Sequence, residues 1–204
     1  MKKPCRLVIY LALLLFALPV HGAQPKPRLY TGSGLLIIRP PTAQGPDTSG
    51  TLVLYREPGV GRVVEPAYGE LPLLRQVMEI PDGEYPVAVM GKKGLWLKIA
   101  YDEAGRSGWV EMARHWEYVP WEEYLSGRTA RFLPWLKKGH YLLRRDPSPA
   151  ARELDTLTTE SSVRIGRVEG DWMLVTVDLQ AAGWLRWRDE DGRFLIAIRP
   201  ACSP

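Results

Sequence analysis

Nucleophilic catalysis needs a Cys or Ser held against a His. The chain has two cysteines, Cys5 near the start and Cys202 third from the end, where tails fray. Serines are scattered, and no Gly-x-Ser-x-Gly elbow occurs. Outside the first 22 residues the histidines are His115 and His140, 25 positions apart, with no Cys or acid at ligand spacing. Glu122-Glu123 reads as the first turn of a helix. Asp189-Glu190-Asp191-Gly192 opens like a calcium loop but lacks the alternating oxygen positions and the distal Glu, so it reads as a solvated turn. Gly59-Val60-Gly61 lacks the Lys-[Ser/Thr] ending and the following helix of a phosphate loop. These patterns predict no catalytic set, no metal and no cofactor. Aromatic residues remain: Trp96, Trp109, Trp172 and Trp184 at strand positions, with Tyr55 and Trp187 nearby. Such rings serve either as core or edge packing or as contacts to a ligand.

The elements that carry these rings read as strands. Leu95, Leu97, Ile99 and Tyr101 alternate with Trp96, Lys98 and Ala100, the period-2 pattern of a strand with two different faces. Asp102 to Gly105 supplies turn chemistry, and Gly108-Trp109-Val110 opens the return strand, the glycine leaving room for a close approach. Further strands are expected at Leu35 to Ile38, Leu52 to Tyr55, Val63-Val64, Leu73 to Ile80, Tyr85 to Met90, Val163 to Val168 and Phe194 to Ile198. Eighteen prolines and nineteen glycines fit a loop-rich fold of short strands.

The hairpin recurs. Leu54-Tyr55-Arg56-Glu57-Pro58 matches Leu143-Arg144-Arg145-Asp146-Pro147, and Gly94-Leu95-Trp96 matches Gly170-Asp171-Trp172. Gly108-Trp109-Val110 matches Gly183-Trp184-Leu185. The paired tryptophans lie 13 residues apart in the first copy and 12 in the second. The same order of an Arg-acid-Pro turn before each pair marks an internal repeat. From that turn's proline to the next Trp the first copy runs 38 residues and the second 25, an insertion between Gly59 and Glu84.

This pattern resembles the bacterial SH3-like domain, which runs from a short apolar strand into Arg and a turn, then Gly-x-Trp, then Gly-Trp-[Val/Leu]. The resemblance implies two small barrels. It also implies that Trp109 and Trp184, each opening a Gly-Trp strand, line peptide grooves. Tyr55 beside Trp109 would form an aromatic shelf suited to extended or proline-rich chains. Arg144 stands where Tyr55 does, so the second groove would be more basic. Trp187, flanked by Arg186 and Arg188, is either a third exposed anchor or packs on the connector.

The first 22 residues read as a leader to be removed. Lys2, Lys3 and Arg6 precede the apolar run Leu7 to Pro19, and Val20-His21-Gly22 supplies a cleavage site. The run is shorter than the ~20 residues that span a bilayer, so no stable membrane insertion is expected after cleavage. Whole, the chain has 27 basic and 23 acidic residues; without the leader it has 24 against 23. That balance gives no electrostatic pull toward nucleic acid. One cysteine survives, so no internal disulfide can form.

Between the copies, Trp116, Tyr118, Trp121, Tyr124, Phe132 and Trp135 crowd a segment with a helix signal at Pro120 to Leu125. It reads as a connector packing the two barrels together. The expected fold is therefore all-β, two small SH3-like β-barrels joined by a short helical, aromatic-rich connector after a signal peptide. The expected bounds are 1–22 leader, 23–50 extended with one strand, 51–112 first barrel with insertion, 113–139 connector, 140–198 second barrel and 199–204 tail. The expected activity is non-catalytic binding, in the periplasm, of cell-wall peptide or an envelope protein partner. Candidate ligand-binding residues are Tyr55, Trp109, Arg144, Trp184 and Trp187. Two alternatives make different demands. A structural accessory subunit needs an apolar patch centred on the connector aromatics, and a carboxylate-dependent hydrolase needs two carboxyls ~5–9 Å apart in a cleft.

Overall fold

A computed structural model describes residues 32–40, 50–72, 74, 77–102, 105–178 and 181–199. The expected leader, residues 41–49 and Cys202 lie outside them. The described chain is mostly β, in two antiparallel sheets of seven strands each.

The first sheet comprises β1 (Gly34–Ile38), β2 (Leu54–Glu57), β3 (Val60–Val64), β4 (Tyr85–Lys93), β5 (Trp96–Ala100), β6 (Ser107–Glu111) and β7 (Glu117–Pro120). After helix α1 (Trp121–Leu125) come β8 (Thr129–Phe132), β9 (Leu142–Arg144), β10 (Glu153–Thr156), β11 (Ser162–Glu169), β12 (Trp172–Val177), β13 (Ala181–Arg186) and β14 (Ile196–Arg199). The spatial orders are β3-β2-β6-β5-β4-β1-β7 and β10-β9-β13-β12-β11-β8-β14. Replacing each strand of the first order by the one seven places later in the chain yields the second. The repeat is thus longer than the two hairpin regions: β1 corresponds to β8, and β7 to β14.

This revises the expected connector. The helix forms as expected, one residue later, with Pro120 before its first turn. The flanking residues, however, are strands: β7 closes the first sheet against β1, and β8 pairs with β11 and β14 in the second. A second difference concerns Leu73 to Ile80. Its described residues form no strand; Leu74, Val77 and Met78 are buried, and Val77 O accepts the Ile198 N–H at 2.6 Å. They plug the junction with β14, so their apolar run reflects burial rather than sheet period. The polar strand β10, exposed along its length, lacks any alternating signal and was not expected.

Two cores follow. One lies within the first unit, formed by Leu36, Ile38, Leu54, Val87, Val89, Leu97, Ile99 and Val110. The larger core belongs to the second unit and takes in Leu35 and Ala88 from the opposite face of the first sheet, with Trp121 and Leu125 of α1. β1 therefore buries both faces, which explains a continuous apolar run where an alternating one would serve a half-exposed strand. Trp187 is 1% exposed in this shared core, against Trp121 and Phe194 at ring distances of 5.8 and 5.4 Å.

Candidate functional site

The register of β2, β6 and β5 decides where the aromatic candidates face. Tyr55 lies opposite Trp109, Trp109 opposite Lys98, and Trp96 opposite Glu111. Directly opposed residues share a face, so Tyr55, Trp96, Lys98, Trp109 and Glu111 form one surface. The intervening Leu97, Ile99 and Val110 point into the first core. Both indoles thus lie outside the core. The Tyr55 ring meets Trp96 edge-on at 5.4 Å and 89°. The shelf expected from Tyr55 and Trp109 therefore has Trp96 as its third member, and Val60 and the Leu95 side chain beside Trp96 are exposed.

The second unit repeats the placement residue for residue. Trp184 lies opposite Arg144 and Leu174, and Trp172 opposite Arg186. Met173, Val175 and Leu185 point into the core. Trp172 and Trp184 are covered more than their first-unit counterparts, at 9% and 7% exposure. The Arg186 guanidinium lies 5.4 Å from the Trp172 ring centre and that of Arg167 lies 5.5 Å from Trp184. Chain geometry explains the tight fit at this joint. A Cβ at Gly183 would sit 2.7 Å from Leu143 Cγ, and one at Gly108 3.0 Å from Leu54 Cβ. At both corresponding positions only glycine lets the crossing strand approach without displacement, as the sequence implied for Gly108.

Around this second face runs a cleft of about 520 Å³. Arg144, Trp172 and Arg186 line it from the sheet, Lys137 and His140 from the segment before β9, and Asp189, Glu190, Asp191 and Arg193 from the turn after β13. The turn is self-satisfied at Asp189, whose Oδ1 accepts the backbone N–H groups of Asp191 and Arg193, both at 2.9 Å. Burial holds the His140 imidazole below its ordinary pKa; Asp189 and Glu190 oppose that shift, while Arg186 and Lys137 add to it. A second cleft of about 340 Å³ lies at the junction of the units, between Ile37, Met78, Tyr124 and Ile198, with Glu84 and Arg128 at its rim. There burial raises the Tyr124 phenol, and the Arg128 guanidinium 4.1 Å over its ring opposes the shift.

Of the five candidates, the structure brings Tyr55 together with Trp109, and Arg144 with Trp184. Trp187 joins neither pair. Its ring is sealed in the shared core and its Nε1 donates to Gly170 O at 2.8 Å, so the packing alternative holds and the exposed-anchor alternative does not. Trp96 and Trp172, named in the sequence as rings for packing or ligand contact but not among the five, share these faces, as does Arg186. The period-2 rule would have placed each indole and its opposed partner on one face, had the face been known.

Among the described residues no group of three or more His, Cys, Asp or Glu is arranged to hold a metal ion. No protein-family model matches the chain, and no curated protein matches it.

Proposed function

We propose that this chain is an exported, non-catalytic binding protein, built on two SH3-like units, that recognises cell-wall peptide through the outward tryptophan faces. The observation that carries this reading is the repetition: both units turn a pair of indoles away from the core, with Tyr55 and Arg144 at the same place beside them. Trp96 and Trp109 remain half-buried on that face, whereas Trp172 and Trp184 are covered by Arg186 and Arg167, so the open aromatic surface is the first unit's and the second unit presents arginines over its rings. The surface of Tyr55, Trp96 and Trp109 offers rigid rings to an extended chain, and such rings supply contact area at little loss of their own side-chain entropy.

The accessory-subunit alternative is less well supported. It needs a contiguous patch of connector aromatics at the surface, yet Trp116, Trp121 and Phe132 are buried and Trp135 is the one of the six that is fully exposed. The test is capture on purified peptidoglycan sacculi. Wild-type protein is retained, and Trp109→Ala with an unchanged melting temperature is retained at least tenfold less. Equal retention of the two, or none of either, refutes the proposal.

A further inference from the structure

The two copies share a fold but differ in three side chains on the same face. Where the first unit has Tyr55, Lys98 and Glu111, the second has Arg144, Leu174 and Arg186. A residue needed for the fold should recur in both copies. These do not, and the two arginines both line the 520 Å³ cleft.

The acids near them hold them weakly. Arg144 and Arg186 occupy diagonal positions on neighbouring strands, roughly 7–8 Å apart at the backbone, and both side chains are mostly buried. Arg144 donates to Ala151 O at 2.8 Å, and its nearest acid, the exposed Glu153, lies at 3.5 Å. Arg186 is 3.9 Å from Asp171, an acid that Arg188 already holds. The Arg186 Nε is buried with no acceptor among the described residues. Its closest acid is Glu190, four residues on, at 3.1 Å and 85% exposed in its side chain. A carboxylate so exposed is weakly held. It occupies the Arg186 fork as an external carboxylate would.

We propose that this cleft is a binding subsite for a peptide carboxylate, received by the Arg186 fork above Trp172, with Arg144 as the second donor. The inference rests on the reading that the second unit binds peptide, and names the group it recognises. Guanidinium donors fit a planar carboxylate in bidentate geometry. The Trp172 ring under Arg186 holds that fork in place. With Asp189, Glu190 and Asp191 also lining the cleft, a dianion such as phosphate is disfavoured against a single negative charge on an otherwise neutral chain. The volume lies within the range of pockets that enclose small ligands or a few peptide residues.

The test is calorimetric titration of the chain, as purified from an expressing bacterium, with four probes. These are acetyl-tetraalanine with a free C-terminal carboxylate, the same peptide as its C-terminal amide, an amide-capped peptide carrying one Glu side chain, and inorganic phosphate. The free acid or the Glu peptide binds at least tenfold tighter than the neutral amide, and whichever does so identifies the source of the carboxylate. Arg186→Gln weakens that binding about tenfold or more, as loss of a hydrogen bond to a charged group does, and Arg186→Lys restores part of it. Glu190→Gln, which removes the internal competitor, tightens binding severalfold; a merely structural Glu190 would leave affinity unchanged. Equal binding of acid and amide, no binding of any carboxylate probe, tighter binding of inorganic phosphate than of either acid, or a normally melting Arg186→Gln that binds like wild type overturns the inference. Sacculus capture separates it from the broader reading. A chain captured on sacculi but indifferent to carboxylates loses this subsite alone, and a chain that binds carboxylates but not sacculi loses the cell-wall reading alone.

Discussion

Alanine at Gly183 and at Gly108 should have unequal effects, although the two glycines occupy the same place in the repeat. Neither has a positive φ, so alanine fits both backbones and the difference is steric. At Gly183 the new Cβ would lie 2.7 Å from Leu143 Cγ, 2.9 Å from the Arg144 carbonyl oxygen and 3.0 Å from Leu143 Cδ1. Carbon atoms sit best at about 3.5–4.0 Å, so the overlap approaches an ångström. Leu143 is buried in the core and cannot swing aside, and a carbonyl moves only with its strand. β9 must therefore shift, at a cost in the upper part of the roughly 1–3 kcal/mol range for overpacking. The lower entropy of the unfolded alanine chain returns about 0.4–1 kcal/mol. The net loss is about 2 kcal/mol, a fall in melting temperature of roughly 4–8 °C for a chain of this size. At Gly108 the contacts are 3.0 Å to Leu54 Cβ, 3.5 Å to Tyr55 O and 3.6 Å to Leu54 Cδ1, which a shift of a few tenths of an ångström relieves. There the steric cost and the entropic gain nearly cancel, to within about 0.5 kcal/mol. Thermal and urea unfolding of both variants beside wild type measure this. A neutral Gly183→Ala, or a Gly108→Ala less stable than Gly183→Ala, would refute the strand spacing from which the magnitudes are worked.

Trp187→Ala should cost about 3–5 kcal/mol in urea unfolding, the range for deleting a buried aromatic; a loss under 1 kcal/mol would contradict its burial against Trp121 and Phe194. Trp135 is 97% exposed and held at a φ of +66°, so nothing in the described fold gains from an indole there. Trp135→Gly relieves about 1 kcal/mol of left-handed strain and should melt at or slightly above the wild-type temperature, while a drop of several degrees would show that the ring packs. His140 binds protons less readily folded than unfolded, because burial lowers its pKa from 6.5. Its contribution is therefore present above pH 6.5 and lost as the pH falls through the lowered folded value. Melting curves from pH 8 to pH 5 should converge at high pH between wild type and His140→Gln, with wild type losing more at low pH; parallel curves would refute the assignment.

The sequence alone determined the local pieces. The hairpin from Leu95 to Val110 is legible because alternation and turn residues act within a few positions, and β5 and β6 form where those signals stand. The repeat is legible for the same reason. Its match of Tyr55 with Arg144 holds in the register, since each lies opposite the tryptophan that opens its Gly-Trp strand. What tertiary structure decided is which face of each strand is covered. Period 2 says that two faces differ, not which one meets a partner, and that choice depends on elements far along the chain. Leu35 and Ala88 are buried because the second unit and α1 pack behind the first sheet. Trp187 is buried because Trp121, 66 residues earlier, and Phe194 close over it. The same holds for β7 and β8, short and weakly patterned, which become strands because β1, β11 and β14 offer them open edges. Burial is a property of pairs of distant residues, and a linear pattern carries only one member of each pair at a time.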